Sequence, residues 1–185
     1  MIALSDDGWT TRSSAVQFSS QWLEVRRDQT VRPDGSDGLY DHVVVNDAVS
    51  VLAVDDAGRV AVTRQWIYVH RSRQWRLPSG RIDAADGGPE AAARRELVEE
   101  TGLSAERLVP LGAINCADSF SNLREHAFLA TGLSQGSTRL DPGEADLEVH
   151  WLPFARVIEL VLAGDLPHAG SSFAVLSAQV RGIVG

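Results

Sequence analysis

The chain lacks three features that would each have assigned it to a broad class. It has one cysteine, Cys116, so no intrachain disulfide is possible, which suits a reducing, cytoplasmic setting. The ordinary reading of that thiol is a small buried side chain. Positive charge is also short: 17 Lys and Arg against 25 Asp and Glu leave a formal net charge of −8, the wrong sign for a general nucleic-acid binder. Long apolar runs are missing too. Nothing approaches the roughly 18–20 residues of a membrane span, so no membrane partner is expected. Met1–Gly8 has no basic segment leading into an apolar one, so no signal peptide is expected either. Internal repeats, low-complexity tracts and linkers are absent from the sequence. What remains, at 185 residues, 44% hydrophobic and 23% charged, is an ordinary soluble globular chain with enough length for a full core. Its acidity still allows a phosphorylated small molecule as substrate, provided metal ions supply positive charge.

Pattern and punctuation give the order of elements. QWLEVRRDQTV (21–31) alternates enough to be a strand, and RPDGSDG (32–38) is a turn cluster. HVVVNDAVSVLAV (42–54) and RVAVTRQWIYV (59–69) are strong β signals joined by the Asp- and Gly-rich DDAGR. WRLPSG (75–80) reads as a short strand, followed by the loop RIDAADGG (81–88). A helix is predicted from Pro89, tolerated in a first turn, to Gly102, a natural left-handed stop. AERLVPLGAIN (105–115) and LREHAFLATGL (123–133) read as strands, SQGSTRLDPGEA (134–145) as a polar loop, and DLEVHWLP (146–153) as a strand. PFARVIELVLAGDL (153–166) has helical spacing, and SSFAVLSAQVRGIV (171–184) makes a terminal helix with Ser171 or Ser172 as N-cap. Mixed strands, a central helix, further strands and terminal helices imply an α+β fold, an α/β/α sandwich with helices covering a mixed sheet.

Within the central helix, RELVEETGL (95–103) sets Glu96, Glu99 and Glu100 on one side, three and four residues apart. Like charges at this spacing repel, and a cation would relieve them. The alternative is a solvated face balanced by Arg94, Arg95 and Arg107. The run resembles the Nudix box, G-x5-E-x7-R-E-U-x-E-E-x-G-U with U aliphatic. Its second half matches at Arg95, Glu96, Leu97, Glu99, Glu100, Gly102 and Leu103. The first half departs. The family's glycine would fall on Arg81 and its first glutamate on Gly87; Gly80 looks equivalent to the glycine, with one residue gained in the loop. Glu90 or Asp86 could replace the missing glutamate, or nothing does. The resemblance implies that Glu96, Glu99 and Glu100 bind Mg²⁺ or Mn²⁺, with the Ser79 carbonyl as backbone ligand and Arg95 orienting a glutamate. Mg²⁺ suits such a set, since it prefers oxygen donors shared between a few carboxylates and substrate phosphates. Ala91, Ala92 and Ala93 read as packing against the sheet.

Segments from about Gln21 to Leu166 are similar to the ADP-ribose pyrophosphatase-like branch of that family. The resemblance implies a Nudix-like fold whose residues 1–45 are N-terminal strands, exchanged across a homodimer, ahead of a hydrolase domain at 46–185. Independently of the family, the large apolar residues of the amino-terminal segment need a surface, either a partner's or the chain's own sheet. The branch implies a glutamate base in the polar loop, assigned to Glu144 with Asp146 and Glu148 beside it. Arg64 and Gln65 match its Arg-Gln pair at a strand end near substrate, where Arg64 would grip a phosphate. Trp66 or Tyr68 would stack on a base or ribose, or belong to the core. Arg76 stands where the branch has a glutamate, favouring an acceptor or a further phosphate on the substrate. His70, His126, His150 and His168 have no ligand spacing and read as structural or surface residues. The implied activity is hydrolysis of a nucleoside diphosphate linked to X, ADP-ribose or a nucleotide sugar, into a nucleoside monophosphate and phosphorylated X. The rivals are a nucleoside triphosphate pyrophosphatase and a nucleotide-sensing domain without turnover.

Overall fold

The computed structural model describes residues 8–184, so the expectation about a leader in Met1–Gly8 falls, for residues 1–7, outside the described residues. The chain forms two compact units. The first holds residues through Asn46 together with Ala117–Leu123, and the second holds Asp47–Cys116 and the chain from Arg124 on.

The first unit is a three-stranded antiparallel sheet of β1 (Thr10–Ser19), β2 (Glu24–Val31) and β3 (Asp37–Val44), in that order. The turn between β2 and β3 forms where expected. Gly35 takes a positive φ of 85°, and the Asp34 carboxylate accepts the Ser36 N–H at 2.9 Å. β1 was not anticipated, because TTRSSAVQFS is polar and every residue of it is exposed. It pairs with β2 through the backbone across two irregularities, leaving Val16 and Phe18 uncovered. Residues 117–123 line up along β3. Val43 N–H donates to Phe120 O at 2.8 Å, and the Asn122 amide brackets the backbone of Val45 from both sides.

The second unit is a seven-stranded mixed sheet between helices. Its strands are β4 (Ala48–Val54), β5 (Arg59–Ile67), β6 (Ser72–Arg76), β7 (Ser79–Arg81), β8 (Leu103–Asn115), β9 (Arg124–Gln135) and β10 (Glu148–Pro153). The path runs β10-β5-β4-β9-β8, with β6 on β5 and β7 on β4; β4 and β9 are parallel and the other pairs antiparallel. Alternation along β4 divides the core. Val49, Val51 and Ala53 meet Ala92, Ala93 and Leu97 of α1 (Pro89–Thr101). Leu52 and Val54 face the opposite layer, built on Val157 and Leu160 of α2 (Phe154–Ala163) and Ala174, Val175 and Ala178 of α3 (Ala169–Arg181). The sequence pointed to this α/β/α sandwich. The small residues of α1 bring that helix close to the strands. Among the described residues no helix is long and apolar enough to cross a membrane.

Several local expectations shift. The apolar run 42–54 is divided at residues 45–47 into β3 and β4, which belong to different sheets. β4 is buried on both faces, so its hydrophobic run has no alternation to mark the break. WRLPSG does not form one strand: Arg76 ends β6, Ser79 begins β7, and Pro78 between them has no N–H for a ladder. β5 stops at Ile67 and gives way to a 3₁₀ turn at Tyr68–His70, closed by Arg71 at φ 49°. α3 begins at Ala169, ahead of Ser171 and Ser172, and neither serine is its N-cap. Both hydroxyls are engaged elsewhere: Ser171 with Leu77 N–H and Ser172 with Leu166 O.

Candidate metal centre

The sheet of the second unit forks. β4 meets β5 only at Ala53–Ala61 and Val54–Val60. Toward its N-terminal end β4 takes β7 instead, pairing Ser50 with Ser79 and Val49 with Gly80, while β5 takes β6, pairing Thr63 with Arg76. The two branches are joined by Leu77–Pro78, and Pro78 O accepts Val51 N–H at 2.9 Å. A forked sheet exposes strand ends that a continuous one would hide, and α1 presents its acidic residues to the β7 branch.

α1 begins at Pro89 in its first turn and ends at Gly102, whose φ of 71° is the left-handed stop expected of it. With Ala92, Ala93 and Leu97 committed to the core, Glu96 and Glu100 are carried inward one turn apart, 8% and 4% exposed. Glu100 Oε2 accepts Ser79 N–H at 3.0 Å. Gly80 lies directly against Glu96: a Cβ at that position would overlap its carboxylate. This close approach explains a glycine at 80 in physical terms.

Arg95 organises the rim. Its Nε and Nη2 grip both oxygens of Asp86 at 2.9 and 2.8 Å, Nη1 reaches Glu96 at 2.7 Å and Glu99 at 2.9 Å, and Nη2 also donates to Arg81 O at 2.8 Å. These bonds raise the Arg95 pKa above its ordinary value, those to Asp86 most, and Arg95 in turn holds the Asp86 carboxyl below the usual range. Of the two candidates for the missing glutamate, Asp86 is the one that meets Arg95. Glu90 pairs with Arg94 at 2.9 Å.

Burial pushes Glu100 up to about 8, and the neighbouring Glu96 and Glu144 push the same way. Glu96 is raised as well, by burial first and also by Glu99 and Glu144, against the pull of Arg95. Glu144 therefore stands within electrostatic reach of both helix glutamates. It ends a one-turn helix at Pro142–Glu144 whose capping box ties its side chain to Asp141 N–H at 3.1 Å. Its neighbours are committed elsewhere: Asp146 to Trp66 N–H and Arg73, Glu148 to Arg73 and His150.

Among the described residues no three Asp, Glu, His or Cys side chains converge tightly enough to close around an ion. Arg95 holds Glu96 and Glu99, and Ser79 N–H holds Glu100. The donor set nevertheless fits a hard divalent cation. It is all oxygen, and the two buried members, Glu96 and Glu100, are both raised by burial and by neighbouring carboxylates, a setting that favours added positive charge.

On strands β5 to β7, four buried side-chain atoms have no hydrogen-bond partner: Arg64 Nε, Gln65 Oε1, Arg76 Nε and Ser79 Oγ. They belong to four of the residues singled out from sequence on these strands. In the second unit no other described residue has such an atom; Asp28 and Thr30 do in the first. A buried polar atom left unsatisfied costs about 1–3 kcal/mol, so such a group of atoms calls for an account. Arg64 lies over the Trp75 ring at 5.1 Å, and Trp75 packs edge-on against His150. Burial lowers the Arg76 pKa, opposed by Glu100 and Glu125. Trp66 and Tyr68 are 50% and 86% exposed, so neither is a core aromatic.

Sequence reasoning missed a second polar cluster, in which Glu125, Ser50, Cys116, His168 and Ser171 meet. These residues come from distant parts of the chain, and no spacing signals them.

Residues 45–173 match the model of the NUDIX domain, and residues 9–43 match that of the nucleoside diphosphate sugar hydrolase N-terminal domain. An ADP-ribose pyrophosphatase of Mycobacterium tuberculosis (strain ATCC 25618 / H37Rv) is 32% identical over 177 residues, covering 94% of this chain and 84% of that protein. An ADP-ribose pyrophosphatase of Bacillus subtilis (strain 168) is 28% identical over 166 residues, covering 89% of each. The crystal structure of an ADP compounds hydrolase superposes with a TM-score of 0.83 at 21% identity, over 95% of this chain and 96% of that one, a likeness of fold.

Proposed function

Because the chain belongs to the Nudix family of hydrolases, we propose that it cleaves the diphosphate of a nucleoside diphosphate linked to a second moiety X, with Mg²⁺ or Mn²⁺ as cofactor. ADP-ribose or a related nucleotide sugar is the substrate we favour, after the relatives of that activity. The observation that carries this reading is the pair of buried carboxylates Glu96 and Glu100, one helical turn apart and set against Gly80 and Ser79 at the fork of the sheet. A divalent ion bound there would offset the charge of the diphosphate oxygens and lower the pKa of a bound water. Glu96, Glu99, Glu100 and the Ser79 carbonyl are the residues that would hold it. Arg95 keeps Glu96 and Glu99 in place through its charge-assisted bonds. Glu144 takes the proton of the attacking water. Arg64 and Arg76 offer guanidinium donors to substrate oxygens and Gln65 Oε1 offers an acceptor to a substrate hydroxyl, which gives the unsatisfied atoms of β5 and β6 a purpose. The water oxygen joins one phosphorus and the bridging oxygen leaves with the other, giving a nucleoside monophosphate and phosphorylated X.

We also read residues 1–45 as a segment exchanged across a homodimer, supported by the exposed Val16 and Phe18 of β1. Sedimentation should then give twice the chain mass.

The test is a panel of ADP-ribose, nucleotide sugars and nucleoside triphosphates incubated with Mg²⁺, Mn²⁺ or a chelator, with products separated by chromatography. Metal-dependent release of AMP and ribose 5-phosphate is the expected result. Pyrophosphate released from triphosphates would replace this reading with a triphosphate pyrophosphatase, and binding without turnover would replace it with a sensor.

A further inference from the structure

The cluster around Glu125 lies outside the carboxylate set, yet it makes contact with the same loop. Ser171 Oγ, with no exposure, accepts Leu77 N–H at 3.0 Å and stands 2.8 Å from His168 Nδ1. His168 Nε2 lies 3.5 Å from Glu125 Oε2. The Ser50 hydroxyl donates to Glu125 Oε1, and the Cys116 thiol lies 3.5 Å from Oε2. Gly170 leaves no room for a Cβ beside that carboxylate. The connectivity Ser–His–Glu is that of an acyl-transfer enzyme. Here the serine is sealed in the core and its oxygen already accepts a backbone N–H, so it cannot act as a nucleophile.

Burying a carboxylate, an imidazole and two hydroxyls in an apolar layer is costly unless the network is complete. Helix capping does not account for it, because His168 makes no side-chain cap to α3. Its reach into the site does. Leu77 N–H is the last backbone donor before Pro78, and the next, Ser79 N–H, goes to Glu100 at 3.0 Å. Between them Pro78 O takes Val51 N–H. The link between the fork's branches is thus fastened at Leu77, Pro78 and Ser79.

We propose that His168, with Glu125 and Ser171, is a positioning residue that sets the Leu77–Ser79 segment against Glu100. This rests on the reading of that segment as part of a metal centre. Burial, and the nearby Arg76, push His168 down to about 3, so the ring is neutral. It then accepts the Ser171 hydroxyl proton at Nδ1 and presents Nε2–H to Glu125, which fixes the one orientation in which Ser171 Oγ faces Leu77.

The test compares Ser171→Ala, His168→Leu and His168→Asn, the last keeping a polar atom near the place of Nδ1. Amide exchange at Leu77, Mg²⁺ binding by calorimetry, and kcat with its half-saturating Mg²⁺ are measured on protein shown to be folded by thermal unfolding. Ser171→Ala and His168→Leu should accelerate Leu77 exchange and weaken Mg²⁺ binding and kcat by roughly tenfold or more, the cost usual for supporting partners of a metal ligand. His168→Asn should recover most of the loss. Folded variants with wild-type Leu77 exchange and Mg²⁺ affinity would overturn the proposal, even with wild-type turnover intact. If the wild type shows no turnover at all while Ser171→Ala still frees Leu77 and weakens Mg²⁺, the hydrolase reading fails and the positioning role stands. Should Ser171→Ala not fold, the pair His168→Leu and His168→Asn decides.

Discussion

Replacing Glu100 by Gln should abolish turnover and, without metal, make the protein more stable. The group is 4% exposed, and burial first, with Glu96 and Glu144 adding to it, carries it from an ordinary 4.5 to about 8. A carboxyl whose pKa is higher in the folded chain than in the unfolded one binds more protons when folded. Stability therefore falls as pH rises from the unfolded value through the folded one, between about 4.5 and about 8. A tenfold change in proton affinity corresponds to about 1.4 kcal/mol, and rearrangement of nearby dipoles holds the whole penalty to about 2 kcal/mol. Gln carries no charge, keeps the shape and still accepts Ser79 N–H through its carbonyl oxygen. In chelator at pH 8 the variant should thus unfold ~4–8 °C higher than wild type, with the gap closing toward pH 5. Adding Mg²⁺ should stabilise the wild type and not the variant. Scanning calorimetry across that pH range, with and without metal, reads both effects, and product chromatography reads the rate. A variant less stable than wild type at pH 8 would refute the electrostatic argument, and undiminished turnover would refute the site.

Other perturbations follow from the same geometry. Gly80→Ala forces a methyl against the Glu96 carboxylate and should cost about 1–3 kcal/mol in urea unfolding along with most of the metal-dependent rate. Gly87→Ala, whose Cβ would meet only Ala91 at 4.0 Å, should leave both unchanged. Arg95→Met strips the charge partner from Asp86, Glu96 and Glu99 and should destabilise by about 3–5 kcal/mol. Arg95→Lys, unable to grip Asp86 with two parallel bonds, should recover only part of that loss in the same unfolding assay. Glu144→Gln should lower kcat by roughly 10²–10⁴ with little change in KM, whereas Glu148→Gln, an exposed partner of Arg73 and His150, should leave the steady-state constants near wild type.

The sequence was most legible where local chemistry and tertiary packing agree. α1 begins and ends at the residues that a Pro start and a Gly stop predict, and Glu96 and Glu100 face inward because they share a helix face with Ala92, Ala93 and Leu97, which pack on β4. The layer order was readable for the same reason. β1 was not, since an exposed strand held by backbone bonds needs no apolar alternation. The break between β3 and β4 was hidden by burial on both faces of β4. For the site, the spacing of Glu96, Glu99 and Glu100 was visible and so was a polar loop carrying Glu144. Which of Asp86 and Glu90 meets Arg95 depended on how the loop before α1 folds back onto that arginine. The Glu125, His168 and Ser171 cluster could not be foreseen from a linear pattern, because parallel pairing of β4 with β9 is what brings Glu125 up to Ser50.

That parallel pairing also orders events in time. Ala48 cannot meet Glu125 until the whole crossover through α1 and β8 has been made, and closing so long a loop is paid in chain entropy before any contact rewards it. A ribosome-bound chain that has emerged only through α1 would carry its α1 glutamates and the Ser79 N–H that meets Glu100, but neither β9 nor the Ser171 hydroxyl that holds Leu77. Chemical competence should accordingly arrive late in synthesis and abruptly, once β9 docks and His168 and Ser171, at the start of α3, have emerged to fasten the loop.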